Sequence, residues 1–285
     1  MRYRFLRFPD GKAKAVTLSY DDGTVNDITL SETLSAYSMK ATFNLNGSAF
    51  RQEGYLKKED VEKYILSNGH EVAIHGYFHR GNGMLRPIEG IREMLDCRLE
   101  MEKEYGRIIR GMAYPDMGVD LFTTPFTYED VKSYLTSLDI VYARVWGHDN
   151  NAFMLPNDWH RWAPSLHHDN PDAQSYIDEF LRLDPNGNKQ LLFRYPRLFY
   201  MWGHGVEFAD NWGVLEDICK KLSGKSDIWY ATNIEIYNYV EAYNSLIYSA
   251  DGTIIYNPTL YDVFFDSDGK TYCVESGKTI TIGGN

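Results

Sequence analysis

Hydrophobic positions change their spacing repeatedly along the chain, from continuous apolar runs to the three-and-four spacing of an amphipathic helix. Apolar runs bounded by turn residues predict buried strands, here over 13–20, 40–45, 71–74, 111–114, 140–145, 197–202 and 228–231. Helical spacing predicts helices between them, over 27–37, 58–67, 87–105, 128–138, 171–183, 211–223 and 233–245. This alternation predicts an α/β fold built on a parallel sheet or barrel.

The pattern changes after about residue 246. The segments IIYN, DVFF, TYCVE and TITIG each resemble a short strand, and Gly269 and Gly277 mark turns between them. The tail therefore predicts a small appendage of antiparallel strands that covers one end of the barrel. We expect residues 1–245 to form the barrel and residues 246–285 to form a β-rich C-terminal extension.

The negative net charge of the chain argues against anionic binding partners. The formal net charge is −11, and no basic run interrupts it, so we expect neither a nucleic acid nor an anionic membrane surface as a partner. No stretch is long and apolar enough to cross a bilayer. Aromatic residues make up 15% of the chain, and Tyr is common among them, which favours a sugar-binding cleft slightly but also suits an ordinary core.

Cysteine usage and the N-terminus bear on the compartment. Cys97, Cys219 and Cys273 are scattered and odd in number, which is typical of reduced thiols and not of a disulfide framework. The first nine residues are basic but lack the apolar segment of a signal peptide. The sequence therefore predicts a cytoplasmic protein.

Polar residues follow several predicted strands directly. They are Asp21 and Asp22, His75, the segment 114–116, and His204. The carboxyl ends of parallel strands converge on one mouth, where active sites form. Residues that are far apart in sequence are thus predicted to meet in space.

The acidic and histidine pairs allow two interpretations each. Asp21 and Asp22 form either a turn with Gly23 or a cation site, because two carboxylates at a buried strand end are costly without a partner. His75 and His79 are either unrelated or lie on one face of a helical turn and share a metal. Two imidazoles and one carboxylate suit Zn²⁺, and also Fe²⁺, Co²⁺ or Ni²⁺. His204 is either a structural residue or a proton donor.

At this point the chain resembles the polysaccharide deacetylases with NodB homology, also called carbohydrate esterase family four. The family's strand ending in T-F-D-D-G is similar to residues 17–23, its K-A-T-F strand to residues 40–43, and its H-x-x-x-H motif to residues 75–79. The strand that ends in a late histidine is similar to residues 199–204. The resemblance spans about residues 12–245.

The resemblance implies a distorted (β/α)₇ barrel and hydrolytic removal of N- or O-acetyl groups from an acetylated carbohydrate. It implies that Asp22, His75 and His79 bind one divalent metal ion, for which Zn²⁺ is the preferred assignment. It further implies that Asp21 is the general base and His204 the general acid. By position in the family's third motif, the backbone N–H of Asp116 and the neighbouring Tyr114 would contact the oxyanion or the substrate.

The chain departs from the family pattern in two places. Ala113 stands where the third motif has an Arg that orients the base, and Arg144, at another strand end, is our candidate replacement. The fourth motif has only a loose counterpart in residues 158–162, which contribute Trp159 and Trp162 as candidate cleft residues, with Trp202 as a further one. Core packing is the alternative for these tryptophans. His167 and His168 have no assigned role.

Two other functions fit the same sequence. Relatives of this fold also hydrolyse small cyclic amides such as ureides, and the absence of a leader makes a small substrate plausible. A catalytically inactive carbohydrate-binding protein would also retain the fold. The sequence leaves the sugar and the oligomeric state open.

Overall fold

A computed structural model describes residues 2–48, 50–147 and 150–283. Within these residues the strands are β1 (Arg4–Arg7), β2 (Lys14–Asp22), β3 (Thr42–Leu45), β4 (Glu71–Ile74), β5 (Gly111–Ala113), β6 (Tyr142–Arg144), β7 (Leu166–His167), β8 (Arg197–His204), β9 (Ile228–Tyr230), β10 (Ile247–Tyr248), β11 (Ile254–Tyr256), β12 (Val263–Ser267), β13 (Lys270–Val274) and β14 (Thr279–Thr281). The ends of the two predicted regions, residues 1, 284 and 285, lie outside the described residues.

The helices follow the predicted order. They are α1 (Asn26–Ala36), α2 (Lys58–Asp60, continued as a π-helix over Val61–Leu66), α3 (Pro87–Tyr105), α4 (Tyr128–Ser137), α5 (Ala173–Arg182), α6 (Trp212–Leu222) and α7 (Asn233–Asn244). Short 3₁₀ turns lie at Pro9–Gly11, Asn82–Met84, Trp159–Arg161, Leu191–Phe193 and Gly205–Phe208. No helix in the described ranges combines the length and the apolarity that crossing a membrane requires.

The predicted parallel sheet is present, and it curls into the distorted barrel expected of the α/β fold class. Its strands lie in the order β6-β5-β4-β3-β2-β8-β7, and β9 pairs with the first residues of β2. β2 is central and buried over its whole length except at its last residue, Asp22, because strands flank it and helices cover its outer face. A bridge between Arg144 and Trp162 joins the β6 edge to the segment that enters β7.

Side chains alternate between the two faces of this sheet. On β2, Val16 and Leu18 pack outward against the helices, whereas Ala15 packs with the inner aromatic cluster. On β8, Leu198 and Tyr200 likewise belong to the inner cluster, and Phe199 packs outward. The period of two places Asp21 and His204, which are register partners, on the inner face at the carboxyl ends.

The C-terminal extension forms two small antiparallel sheets, β10-β11-β14 and β1-β12-β13. The second sheet includes the N-terminal strand β1, which pairs with β12 from Arg4 to Arg7. A buried ion cluster of Arg7, Arg194 and Asp266 anchors it beside the residues that start β2 and β8. The extension therefore packs near the amino ends of the strands, away from the mouth. The division at residue 245 remains a prediction.

Candidate active site

The residues predicted to meet at the strand ends surround one open cavity of about 330 Å³. Its walls are formed by Asp21, Asp22, His75, His79, Tyr114, Asp116, Met117, Arg144, Trp146, Trp202 and His204. They come from the carboxyl ends of β2, β4, β5, β6 and β8 and from the loops that follow these strands. The convergence predicted from a parallel sheet is thus present in the structure.

Three potential ligand atoms face one another inside this cavity. Asp22 Oδ1 lies 3.8 Å from His75 Nε2 and 3.5 Å from His79 Nε2. Two ligands held about 2.0–2.2 Å from a tetrahedral ion are separated by roughly 3.4 Å. The spacing and the donor set, two imidazoles and one carboxylate, therefore fit a divalent transition-metal ion with a position left open.

The local backbone between the two histidines is not the helical turn that we expected. β4 ends at Ile74, and Gly76 and His79 both have positive φ angles, 91° and 57°. Glu93 on α3 holds this loop, because its Oε1 accepts hydrogen bonds from the N–H groups of Phe78 and Arg80. A Cβ at position 76 would lie only 2.7 Å from that oxygen. The imidazoles of His75 and His79 are therefore brought together by a tight loop at Gly76 and not by a helical turn.

Neighbouring groups fix the orientation of the ligand side chains. His75 Nδ1 lies 2.9 Å from the carbonyl oxygen of Ala113, so its Nε2 remains available as the ligand atom. His79 Nδ1 lies 3.5 Å from Asp116 Oδ1. Asn46 Nδ2 donates to Asp22 Oδ1 at 3.1 Å. Burial and the proximity of His75 lower the pKa of His79, which favours the neutral imidazole that a metal requires.

Asp21 is buried beside the ligands and is oriented from two sides. Its Oδ1 accepts a hydrogen bond of 2.8 Å from Asn44 Nδ2, and its Oδ2 pairs with the Arg144 guanidinium. Burial acts to raise the pKa of Asp21, but Arg144, the two neighbouring histidines and the Asn44 hydrogen bond together hold that pKa below its ordinary value. The carboxylate is therefore ionised and directed into the cavity.

Arg144 lies next to Ala113, the position at which the family's third motif has an Arg. Its guanidinium carbon lies 4.0 Å from the centre of the Trp202 ring, and its side chain is almost fully buried. β6 pairs with β5 so that Arg144 stands directly beside Ala113, the position of the missing Arg. The charge thus reaches Asp21 from the adjacent strand, and Arg144 as the functional replacement of the missing Arg stays a prediction.

His204 lines the same cavity and is the register partner of Asp21. Its Nδ1 is 3.1 Å from Glu207 Oε2, and its backbone N–H donates to the same oxygen at 2.9 Å. Burial alone would lower the pKa of His204, but Glu207, Asp21 and Asp22 raise it to about 9. The imidazole is therefore protonated at neutral pH and able to donate a proton.

The remaining predicted contact residues fall into two groups. Asp116 lies at the cavity with a φ angle of 48°, and within the described residues its N–H donates to no acceptor. Tyr114 reaches the cavity wall, but its ring is buried and its hydroxyl donates to the carbonyl oxygen of His160. Trp159 and Trp162 are not at the site. Trp162 is fully buried in the inner cluster, and Trp159 packs against it and against Tyr237 of α7.

Several residues at the site were missed in the sequence. Asn44 lies two residues after Thr42 in β3, so both side chains are on the same face of the sheet. The predicted strand over 40–45 was therefore sufficient to predict that Asn44 faces the barrel interior. Glu207 lies three residues after His204, which is a capping spacing. Glu93 sits in the middle of a helix and Trp146 in a loop, and no local pattern marks either of them.

Known proteins share the fold and part of the sequence. Residues 9–122 match the model of the polysaccharide deacetylase family. The predicted resemblance to this family is confirmed. No curated protein matches the chain.

Several solved structures have the same fold as this chain. The chitin deacetylase of Colletotrichum lindemuthianum is 16% identical with a TM-score of 0.52, and the match covers 81% of this chain and 89% of that one. Peptidoglycan deacetylase PdaC from Bacillus subtilis is 19% identical with a TM-score of 0.50, covering 83% and 96%. A family 4 carbohydrate esterase from Streptomyces lividans, solved with acetate, is 16% identical with a TM-score of 0.50, covering 76% and 91%.

Proposed function

We propose that the protein is a metal-dependent hydrolase that removes acetyl groups from an N- or O-acetylated carbohydrate. The observation that carries the proposal is the set of groups that lines one cavity. The three ligand atoms of Asp22, His75 and His79 lie in the same cavity as an ionised Asp21 and a protonated His204. A base, a cation site and an acid within one cavity are what hydrolysis of an ester or amide requires.

A divalent ion at this site would polarise the acetyl carbonyl and lower the pKa of a water molecule. The residues of the chain supply the proton transfers. Asp21 accepts a proton from the attacking water at its carboxylate, and the oxygen adds to the acetyl carbon. His204 then gives its proton to the departing amine nitrogen or sugar oxygen as the bond to the acetyl carbon breaks. Acetate and the free sugar group are the products.

Two further residues assist in this scheme. Asp116 lines the cavity, and its backbone N–H, which donates to no acceptor within the described residues, would donate to the oxygen that becomes negative when the carbonyl is attacked. Arg144 keeps Asp21 ionised and fixes its orientation, so we assign it a positioning role. Trp146, which is half exposed, would offer apolar surface to the substrate, whereas Trp202 is almost fully buried beneath Arg144.

The decisive experiment measures metal content and acetate release on the same preparation. Wild-type protein is reconstituted with Zn²⁺ or Co²⁺, dialysed and compared with the His75→Ala/His79→Ala variant by elemental analysis. Release of acetate from soluble N-acetylated and O-acetylated oligosaccharides is then followed, with a cyclic ureide as an alternative substrate. We expect metal in the wild type, its loss from this centre in the variant, and metal-dependent acetate release only in the wild type.

The other outcomes separate the rival functions. Ureide cleavage without acetate release would replace the deacetylase with an amidohydrolase at the same centre. Metal binding with sugar affinity but no turnover would replace it with a binding protein. A reconstituted wild type and double variant with equal metal content and equal activity would overturn the ligand assignment.

A further inference from the structure

A second group of ligating side chains lies beside the proposed active site. His167, His204 and Glu207 each present one ligand atom, and these atoms lie within 4.8 Å of one another. They border a cavity of about 410 Å³ that shares Trp146, Trp202 and His204 with the catalytic cavity. His167 is the last residue of β7, His204 is the last residue of β8, and Glu207 lies in the turn after β8, so the sheet that positions the first centre also holds these residues.

Four nitrogen atoms lie within 3.4 Å of one carboxylate oxygen of Glu207, more than that oxygen can accept hydrogen bonds from. His204 N, His204 Nδ1, His168 Nε2 and His167 Nε2 lie 2.9, 3.1, 3.2 and 3.4 Å from Glu207 Oε2. One carboxylate oxygen has about two lone-pair positions, so it does not accept a hydrogen bond from all four. His168 shows the consequence, because neither of its ring nitrogens makes a hydrogen bond to another described residue although His168 is only 4% exposed.

The tautomer of His167 is set by a separate carboxylate. Asp169 Oδ1 lies 2.5 Å from His167 Nδ1, so the proton of this imidazole belongs at Nδ1. His167 Nε2 then presents its lone pair toward Glu207. A carboxylate that fixes the far nitrogen of an imidazole is the usual support of a histidine ligand to zinc. His75 has the same kind of support from the Ala113 carbonyl at the first centre.

We propose that His167 Nε2, His204 Nδ1 and Glu207 Oε2 form a second site for a divalent transition-metal ion. The carboxylate lies 3.4 Å and 3.1 Å from the two imidazole nitrogens, close to the roughly 3.4 Å expected for ligands of a tetrahedral ion. The ligand set repeats that of the first centre, two imidazoles and one carboxylate, so the same metals suit both.

The second site has a consequence for catalysis that rests on the proposed function. A cation bound at His204 Nδ1 takes the place of the proton that this nitrogen shares with Glu207, and the proton passes to solvent. His204 is then a neutral imidazole, whose remaining N–H at Nε2 is a much weaker proton donor for the leaving group than the imidazolium. A second equivalent of metal therefore inhibits turnover. The ion at the first site supports the reaction, whereas an ion at the second site binds His204, the proposed proton donor.

The test counts metal ions without reference to activity. Metal-free protein is titrated with Co²⁺, followed by its visible spectrum, and with Zn²⁺, followed by calorimetry. The wild type is expected to bind two equivalents, His167→Gln and Glu207→Gln one each, and His75→Ala/His79→Ala one, retained at the second site. His160→Gln is the matched control, because His160 lies outside both centres, and it is expected to bind two equivalents.

Asp169→Asn sharpens the test, because it leaves the three ligands in place and removes only the support of His167. It is expected to weaken the second equivalent by about 10-fold to 100-fold while the first is unchanged. Circular dichroism establishes that each variant is folded. The proposal is overturned if the wild type binds a single equivalent, or if folded His167→Gln and Glu207→Gln variants still bind two. Because the count is independent of turnover, absence of acetate release would affect the proposed function alone.

Discussion

The two ends of the barrel interior differ although the same strands build both. At the amino ends, Glu71 accepts hydrogen bonds from the Tyr142 hydroxyl, the Thr42 hydroxyl and the N–H of Ile234. Asn233 donates to the Tyr200 hydroxyl and accepts from the Thr17 hydroxyl, both at 2.7 Å. These buried polar groups satisfy one another, as stable interiors require.

At the carboxyl ends, the interior carries strain and unpaired groups instead. Asp22, His79 and Asp116 have φ angles of 77°, 57° and 48°, in the left-handed region that costs a side-chain-bearing residue about 1–3 kcal/mol. The Oδ1 atoms of Asn44 and Asn46 have no partner among the described residues, and neither carboxylate oxygen of the fully buried Asp27 has one.

Residues of one strand therefore have different roles: those near its amino end stabilise the fold, and those near its carboxyl end line the proposed active site. Glu71 and His75 lie four residues apart on and just after β4, and Tyr142 and Arg144 lie two apart on β6. The first of each pair completes a hydrogen-bonded network, and the second faces the site. Substitutions at the mouth should therefore change turnover, and substitutions at the other end should change folding.

The largest expected effect is at the proposed base. Asp21→Asn retains the hydrogen bond from Asn44 but cannot accept a proton, so kcat/KM for acetate release should fall by about 10²-fold to 10⁴-fold. Metal content, measured by elemental analysis, should stay at the wild-type value because the ligands are intact. A variant with wild-type turnover would remove Asp21 from the mechanism.

Arg144→Met should have the next largest effect. Arg144 lowers the pKa of Asp21, so its removal raises that pKa, and the base becomes protonated at higher pH. The acid limb of the kcat/KM profile should move upward, with a loss of about 10-fold to 100-fold at neutral pH. The control is Arg144→Lys, which keeps the charge and should show a smaller displacement. An unmoved acid limb in Arg144→Met would contradict the positioning role.

Asn233→Ala tests whether the hydrogen-bonded network at the amino ends of the strands stabilises the fold. It leaves the Thr17 and Tyr200 hydroxyls buried without a partner, which should lower the free energy of unfolding by about 2–4 kcal/mol. Chemical denaturation measures this loss, and kcat/KM of the folded fraction should remain within about twofold because the change is far from the mouth. A large fall in kcat/KM at unchanged stability would break the separation between the ends.

The smallest effect concerns pH and Glu71. Burial outweighs its three hydrogen bonds and raises the pKa of Glu71 from 4.5 to about 7. Between these values the folded state holds a proton that the unfolded state releases, so stability should fall as pH rises from about 4.5 to about 7 and then level off. Glu71→Gln should remove about 1–3 kcal/mol of this change. Denaturation of both proteins at pH 5 and pH 8 measures it, and identical pH dependence would exclude Glu71 as its source.

The predictions from the sequence were best where one local rule was sufficient. Helix α3 begins and ends as predicted, because Pro87 starts it and Gly106 ends it with a φ angle of 62°. The apolar run of β2 predicted a buried strand, and β2 is buried over all but its last residue. Strands β1 and β7 were missed, since β1 pairs with β12, more than 250 residues away in sequence, and β7 has just two residues.

The amino-acid sequence by itself determined the alternation of strands and helices, and with it the meeting of Asp21, Asp22, His75 and His204 at one end of a parallel sheet. Only the tertiary structure decided which neighbours face one another. Arg144 reaches Asp21 because β6 lies beside β5, and Trp162 is buried because the segment before β7 closes the barrel. Such contacts depend on strand register and loop conformation, which residues distant in sequence fix together and no local pattern encodes.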